Sequence, residues 1–209
     1  MSTLLRIDSS PMGPGASFSR KLTDEFVRHW KRIHPGGNVV TRDLTVTPLV
    51  ALNAEWIAAA FTTESARTPE QREILALSDE LIEEIQSADE YVVGVPMHNF
   101  SISGALKLWV DQVVRAGKTF SYAGGKPAGL LKGKKATLVL TSGGVYEPGT
   151  PMAAMDFTEP YLRTIFAFMG VTDVRVIRAG GTAKARDQAG REAILQPARV
   201  VIWNDSQAA

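Results

Sequence analysis

Residues 91–96 read Tyr-Val-Val-Gly-Val-Pro, and this short run restricts the fold more than any other stretch of the chain. A β-branched segment without polar alternation suits a strand buried on both faces, as in a parallel sheet covered by helices. Pro96 ends the ladder, because it has no N–H to donate. After the loop Met97-His98-Asn99-Phe100, Ser103 stands as the N-cap of a helix with Leu106, Val110 and Val113 on one face. Open α/β sheets bind ligands beyond the carboxyl ends of their strands, so residues 97–100 are expected to form a ligand loop.

The same alternation runs through the chain. Leu4–Ile7 reads as a first strand, and the loop Asp8–Ser17 leads to a helix over about Ser19–Ile33, with Ser17 or Ser19 as its cap and Leu22, Phe26, Val27 and Trp30 as its apolar stripe. Gly36-Gly37 ends that helix before a strand at Asn38–Leu44. Asn53 caps a short helix (AEWIAAAF), and Thr62–Arg67 is a surface excursion. Thr68-Pro69-Glu70-Gln71 carries a capping box with proline at the first helical position, and Ile74, Leu77, Leu81 and Ile85 form the expected core stripe of the helix that follows. Ala116–Lys132 is a long, aromatic, glycine-containing connection. Lys135–Leu140 is a fourth strand, and Asp156 with Glu159 caps a helix carrying Tyr161, Leu162, Ile165 and Phe168 to a stop at Gly170. Val174–Ala179 is a fifth strand, followed by a last helix from about Ala183 to Ile202. Five strands alternating with helices imply one α/β domain over residues 1–209 with a parallel, doubly wound sheet.

Composition removes several function classes. A formal net charge of +1 gives no strong attraction to nucleic acid or anionic membranes. With no cysteine, thiol catalysis, disulfides and Cys-based metal sites are excluded, and no metal is expected. No run approaches the ~20 apolar residues of a membrane span, and the N-terminal MSTLLRIDSS turns polar too soon for a secretory signal. A cytoplasmic protein is the expectation.

Strands one, three and four each end in a loop rich in serine, glycine and asparagine, and right-handed winding places all three on one edge of the sheet. Ser10, Ser17 and Ser19 lie beside a helix N-terminus, whose amides and positive dipole end suit a phosphate. Plain capping and turn formation would use the same serines. No GxxxxGK[ST] is present, and Phe18 replaces the third glycine of a dinucleotide fingerprint that begins at Gly13-Pro14-Gly15. A phosphomonoester held by hydroxyls and amides remains, as in the flavodoxin way of binding flavin mononucleotide (FMN).

Three motifs then make a resemblance specific. SSxxG…SxSRxL at Ser9–Leu22, VPMHNFSISGALKxWxDxVxRAGxTFxY at Val95–Tyr122 and LTSGG at Leu140–Gly144 resemble the FMN-dependent NADH-azoreductases, a family that also reduces quinones. The similarity continues through TPEQREILALSDELI, GLLKGKK and TEPYLRTIFAFMGVTDVRVI, so it covers nearly the whole chain. It implies a flavodoxin-like five-stranded parallel sheet in the order 2-1-3-4-5 with helices on both faces. It also implies that Ser10 and Ser17-Phe18-Ser19 hold the FMN phosphate, that Pro96-Met97-His98-Asn99-Phe100 lines the isoalloxazine ring, and that Thr141-Ser142-Gly143-Gly144 meets the pyrimidine end. Phe120 and Tyr122 would wall the flavin and substrate pocket at a two-fold homodimer interface, with Trp109 and Val110 extending the same patch, and Tyr146 is a further substrate-pocket candidate. His98 stands where the family often has tyrosine, and Ser142 where arginine can occur.

The implied activity is ping-pong: NADH or NADPH delivers a hydride and leaves, then a quinone or azo compound accepts two electrons, with two rounds needed to cleave an azo bond to amines. The flavin carries the hydride, so no catalytic side chain is certain, although His98 and Tyr146 are candidates for assisting proton transfer. Amides at Gly143-Gly144 and the Thr141 hydroxyl suit the negative charge that develops on the ring's N1/O2 edge, and Asn99 offers both donor and acceptor to the opposite edge. Arg67, Arg163 and Arg186 are candidates for meeting a 2′-phosphate on the reductant. The competing readings are a flavodoxin-type electron carrier and a flavin-binding, or flavin-free, regulatory protein on the same fold.

Overall fold

The computed structural model describes residues 2–204, so both ends of the expected 1–209 domain lie outside the described residues. Five parallel strands form the sheet: β1 (Thr3–Asp8), β2 (Asn38–Asp43), β3 (Glu90–Pro96), β6 (Lys135–Thr141) and β7 (Asp173–Ala179), in the order β2-β1-β3-β6-β7. This is the expected 2-1-3-4-5 order once the two short strands β4 (Phe120–Ser121) and β5 (Ala128–Gly129) are set aside, because they pair only with each other as an antiparallel ribbon. The order reverses at β1/β3, the switch point at which such sheets open a ligand crevice.

Six helices cover the sheet: α1 (Phe18–Ile33), α2 (Ala54–Phe61), α3 (Pro69–Ser87), α4 (Gly104–Val113), α5 (Thr158–Met169) and α6 (Gln188–Trp203). Alternate strand residues face opposite layers. Leu4, Val92, Val139 and Ile177 pack with Leu22, Phe26 and Trp30 of α1 and Leu195, Ala198 and Ile202 of α6. Leu5, Val93, Val95, Leu138 and Leu140 pack on the other face, with α3, α4 and α5. Each such side chain contributes roughly 1.5–3 kcal/mol on leaving water, which is why β3 must be apolar throughout.

Several expectations need correction. The buried face of α3 is Leu75, Ser78, Leu81, Ile82 and Ile85, whereas Ile74 is exposed and Leu77 only borders the core. Only the N-terminal end of the stripe differs, where Leu75 rather than Ile74 packs against Trp56 and Ala59 of the small helix α2, while Leu81 and Ile85 are buried as expected. On α5 the buried aromatic is Phe166, and Phe168 lies at its margin against Phe120. The last helix starts at Gln188, capped by the Asp187 side chain, while Thr182–Lys184 forms a separate 3-10 turn. Asp156 does accept the Thr158 and Glu159 amides (2.8 and 3.3 Å), but Glu159 makes no reciprocal cap and instead pairs with Arg163 and Arg178. Trp109 and Val110 are buried within the chain's own core, so they extend no surface patch. The Thr68–Gln71 capping box and the Asn53 cap form as expected.

The β4–β5 ribbon is held by a backbone-on-backbone contact. A Cβ at Gly129 would lie 2.1 Å from the Gly170 amide nitrogen, at the left-handed residue that ends α5 (φ 103°). Leu131 N–H also donates to the Met169 carbonyl (2.8 Å). We expect Gly129→Ala to cost about 1–3 kcal/mol through overpacking, seen as a lowered thermal midpoint. Among the described residues no helix is long and apolar enough to cross a membrane.

Candidate functional site

The three loops expected to share an edge do so. The loop after β1 is fastened to β3, with Ser9 Oγ donating to the Gly94 carbonyl (2.8 Å) and Ser103 Oγ, the cap of α4, donating to the Ser9 carbonyl (3.1 Å). The loop after β3 is fastened to β6 through Met97 N–H and the Thr141 carbonyl (2.7 Å). Between them opens a cleft of about 140 Å³, lined by Ser10, Met12, Ala16, Ser17, Phe18, Pro96, Met97, His98, Thr141, Ser142, Gly143 and Thr182. No acidic side chain is among those residues.

At one end of the cleft lies the start of α1. Ser17 is its cap, accepting from the Arg20 amide (3.2 Å), and its hydroxyl also meets that of Ser19 (3.2 Å). Ser10, Ser17 and Ser19 are all buried, and the first turn of α1 has no acidic residue to occupy the positive end of the dipole. Arg20 had no assigned role in the sequence reading, although it sits inside the quoted SxSR motif. Its guanidinium turns away from the cleft and donates to the Ser10 carbonyl (2.9 and 3.2 Å) and both oxygens of Asp43 (2.7 Å each). That pairing holds the Asp43 carboxyl well below the usual carboxylate range and raises Arg20 further. Arg20 therefore fixes the path of the serine loop, while hydroxyls and amides remain to meet a phosphate.

At the other end, the β6 loop is braced from behind by the loop after β7. The carbonyls of Ser142, Gly143 and Gly144 accept from the amides of Thr182 (3.0 Å), Ala183 (3.2 Å) and Gly181 (2.7 Å). Among the described residues, no protein acceptor takes the Gly143 or Gly144 amide. Thr182 lines the cleft and was missed, yet the strand-end argument applied to Val174–Ala179 points straight at AGGT. Gly144 lies beside the cleft, and a Cβ there would come 3.0 Å from the Tyr146 ring.

His98 and Ser101 exchange backbone hydrogen bonds (2.8 and 3.0 Å), which closes a two-residue turn with Asn99 and Phe100 at its tip. Both tip residues have positive φ, 48° and 69°, the pattern of a type I′ turn. Asn tolerates this backbone, but for Phe it is strained. The Phe100 ring is held edge-on to Tyr146 (6.2 Å). Phe100→Gly should therefore raise stability by about 1 kcal/mol while weakening whatever the turn clasps, measurable as a higher melting temperature with poorer flavin retention.

The remaining expected residues lie elsewhere. Phe120 packs on Phe168 near the end of α5 (4.5 Å), with Tyr122 exposed beside it (5.5 Å). That is the opposite edge of the sheet from the cleft, because α4 runs back across the layer before the ribbon begins. Tyr146 borders the cleft's neighbour, a cavity behind the β6 loop. Arg67 is occupied by the Ala59 and Thr62 carbonyls, Arg163 by Glu159 and the Val174 carbonyl, and Arg186 is exposed.

Comparison with known proteins agrees with this geometry. A family model described as having a flavodoxin-like fold matches residues 2–200. An FMN-dependent NADH:quinone oxidoreductase of Acidobacterium capsulatum is 55% identical over 198 residues, covering 94% of this chain and 95% of that protein. One from Nostoc sp. is 47% identical over 203 residues, covering 94% and 98%. Among solved structures, an azoreductase from Bacillus anthracis superposes with a TM-score of 0.85 at 28% identity, covering 98% of this chain and 100% of that one.

Proposed function

This chain belongs to the flavodoxin-like fold family that its residues match, and from that premise we propose that it is an FMN-dependent NADH:quinone oxidoreductase that also reduces azo compounds. The observation that carries the reading is the acid-free cleft, with buried hydroxyls and a helix N-terminus at one end and two acceptor-free amides at the other. The donor set fits FMN: a doubly charged phosphate needs many neutral donors and no competing carboxylate, and a flat ring needs glycine backbone at close range.

When bound, FMN supplies the hydride chemistry, and its ring gathers negative charge along the N1/O2 edge on reduction. Ser10, Ser17, Ser19 and the first amides of α1 hold the phosphate. Pro96, Met97 and His98 form one wall of the ring site, with Asn99 and Phe100 at its rim. The Gly143 and Gly144 amides, together with the Thr141 hydroxyl, stabilise the ring's negative edge. Such preorganised donors act strongly because they need no reorientation as the charge appears. Ser142 offers no positive charge, since its hydroxyl donates to the Gly144 carbonyl (2.9 Å) and serves the turn's shape instead. His98 is exposed on the wall of the cleft, where an imidazole is placed to assist proton delivery to the acceptor.

The reading includes a homodimer in which Phe120 and Tyr122 of a second copy wall this pocket, since within one chain they lie at the opposite edge of the sheet. We take all 209 residues as one domain and place the protein in the cytoplasm, in keeping with a cysteine-free sequence of near-zero net charge. Steady-state NADH oxidation tests the function. FMN-loaded protein should turn over with menadione and with methyl red, with parallel-line kinetics. A bound flavin that NADH does not reduce, or that reduces without turning over, would indicate an electron carrier instead.

A further inference from the structure

Behind the β6 loop, a small, partly open cavity is bounded by Val95, Leu140, Tyr146, Glu147, Thr158 and Arg178, among others. Two buried polar atoms there, Glu147 Oε2 and Thr158 Oγ1, have no hydrogen-bond partner among the described residues. Thr158 is only 1% exposed. An unsatisfied buried polar atom costs about 1–3 kcal/mol, and both atoms belong to residues that line this one cavity. The cavity has room for about one water, which can join the two.

The placement of Glu147 matters for the site next door. Its Oε1 lies 2.5 Å from where a Gly180 Cβ would be, and the same Gly180 position lies 3.2 Å from the Gly144 carbonyl oxygen. The carboxyl thus sits directly behind the turn whose amides meet the flavin's pyrimidine edge. The charged and titratable groups around it are Arg178 on β7, Asp156 before α5 and Tyr146 on its own loop. Two of these are already engaged: Arg178 pairs with Glu159 of α5, and Asp156 Oδ1 takes the Thr158 and Glu159 amides. No salt bridge neutralises Glu147 among the described residues, so it is the group free to respond to a charge arriving at the turn.

We propose that Glu147 is a positioning residue that takes up a proton when the flavin is reduced, through a water shared with Thr158. Resting on the flavin reading above, the step balances simply. NADH reduces FMN by two electrons, the Glu147 carboxylate gains one proton from solvent, and that proton leaves again when a quinone takes the hydride and a solvent proton to become hydroquinone. An ionised carboxyl opposes negative charge on the ring, and a protonated one does not, so Glu147 sets both the flavin's potential and its dependence on pH.

The test is spectroelectrochemical titration of FMN-loaded protein across pH, with infrared difference spectra between reduced and oxidised forms. The wild type should show a pH window in which its midpoint potential falls more steeply than on either side, and a protonated-carboxyl C=O band should grow on reduction. Glu147→Gln should lose both features and have a higher midpoint potential above that window. Thr158→Val keeps the carboxyl and removes its water partner, so it should move the window while retaining the band. Superimposable potential curves for wild type and both variants, with no carboxyl band in the wild type, would overturn the inference while leaving the flavin reading intact. Failure of the wild type to bind FMN would sink the flavin reading itself.

Discussion

Gly144→Val is expected to lower NADH-dependent turnover by about 10²–10³-fold, the loss seen when a preorganised donor is removed from a charge-developing site. The cause is local. A Cβ at this position meets two ring carbons and the hydroxyl oxygen of Tyr146 at 3.0–3.1 Å, and the Gly144 carbonyl is pinned by Gly181 N–H at 2.7 Å. A valine there adds two further methyl groups beside the ring, so either the Tyr146 side chain or the turn must give, and the expected loss is the outcome in which the turn gives and carries the Gly143 and Gly144 amides out of line with the flavin. Gly143→Ala is the matched control, since its Cβ would make an ordinary 3.6 Å contact with Ala183. Flavin affinity and turnover should collapse in the first variant and change little in the second, with circular dichroism unchanged in both. Equal effects in the two would show that the amides are not the functional feature.

Arg20→Ala should be the most destabilising single change near the site. It strips Asp43 of its bidentate partner, leaves the buried Asp8 with one guanidinium partner fewer, and frees the Ser10 carbonyl. Breaking a buried pair from one side costs about 3–5 kcal/mol, and the partial exposure of Asp43 places the expectation near the lower bound. FMN affinity should fall as well, because the serine loop loses its brace. The pH dependence supplies a second signature. Since Arg20 depresses the folded-state value for Asp43, the pair's stabilisation is fully present above the carboxyl's unfolded value of about 4 and drains away as pH falls below it. Chemical denaturation at pH 7 and pH 3 should therefore show the wild-type advantage over Arg20→Ala shrinking at the lower pH. An advantage that stays constant or grows would contradict the ion-pair account.

Much of the architecture is legible from local chemistry. The β-branched strands, Pro96, the Thr68 capping box and Gly170 announce their elements because each effect acts within a few residues. Strand-end loops converge on one edge by a general rule of winding, which is why the sequence places Ser10, Ser17, Met97, Thr141 and Gly143 along one cleft. What the chain does not announce depends on contacts between distant segments. Arg20 looks like a solvated helix residue until Asp43 and the Ser10 carbonyl arrive beside it. At the start of α3 the buried residue is Leu75 rather than Ile74, because α2 packs there from a distant part of the chain, while Leu81 and Ile85 keep the expected face. The left-handed backbone of Phe100 runs against its own residue preference, and such a conflict is typical of a functional turn. Phe120 and Tyr122 carry the right motif but lie across the sheet from the cleft, because the ribbon that holds them packs at the far end of α5.

The central claim is that the cleft holds a mononucleotide by its phosphate at the start of α1 and by its ring at the glycine turn. Titrating flavin-stripped protein with FMN and, in parallel, with riboflavin tests it most directly, because the two ligands differ only in the phosphate. The account predicts saturation at one FMN per chain, quenched flavin fluorescence, and riboflavin binding weaker by orders of magnitude. Equal affinity for both ligands, or no binding of FMN at all, would contradict it.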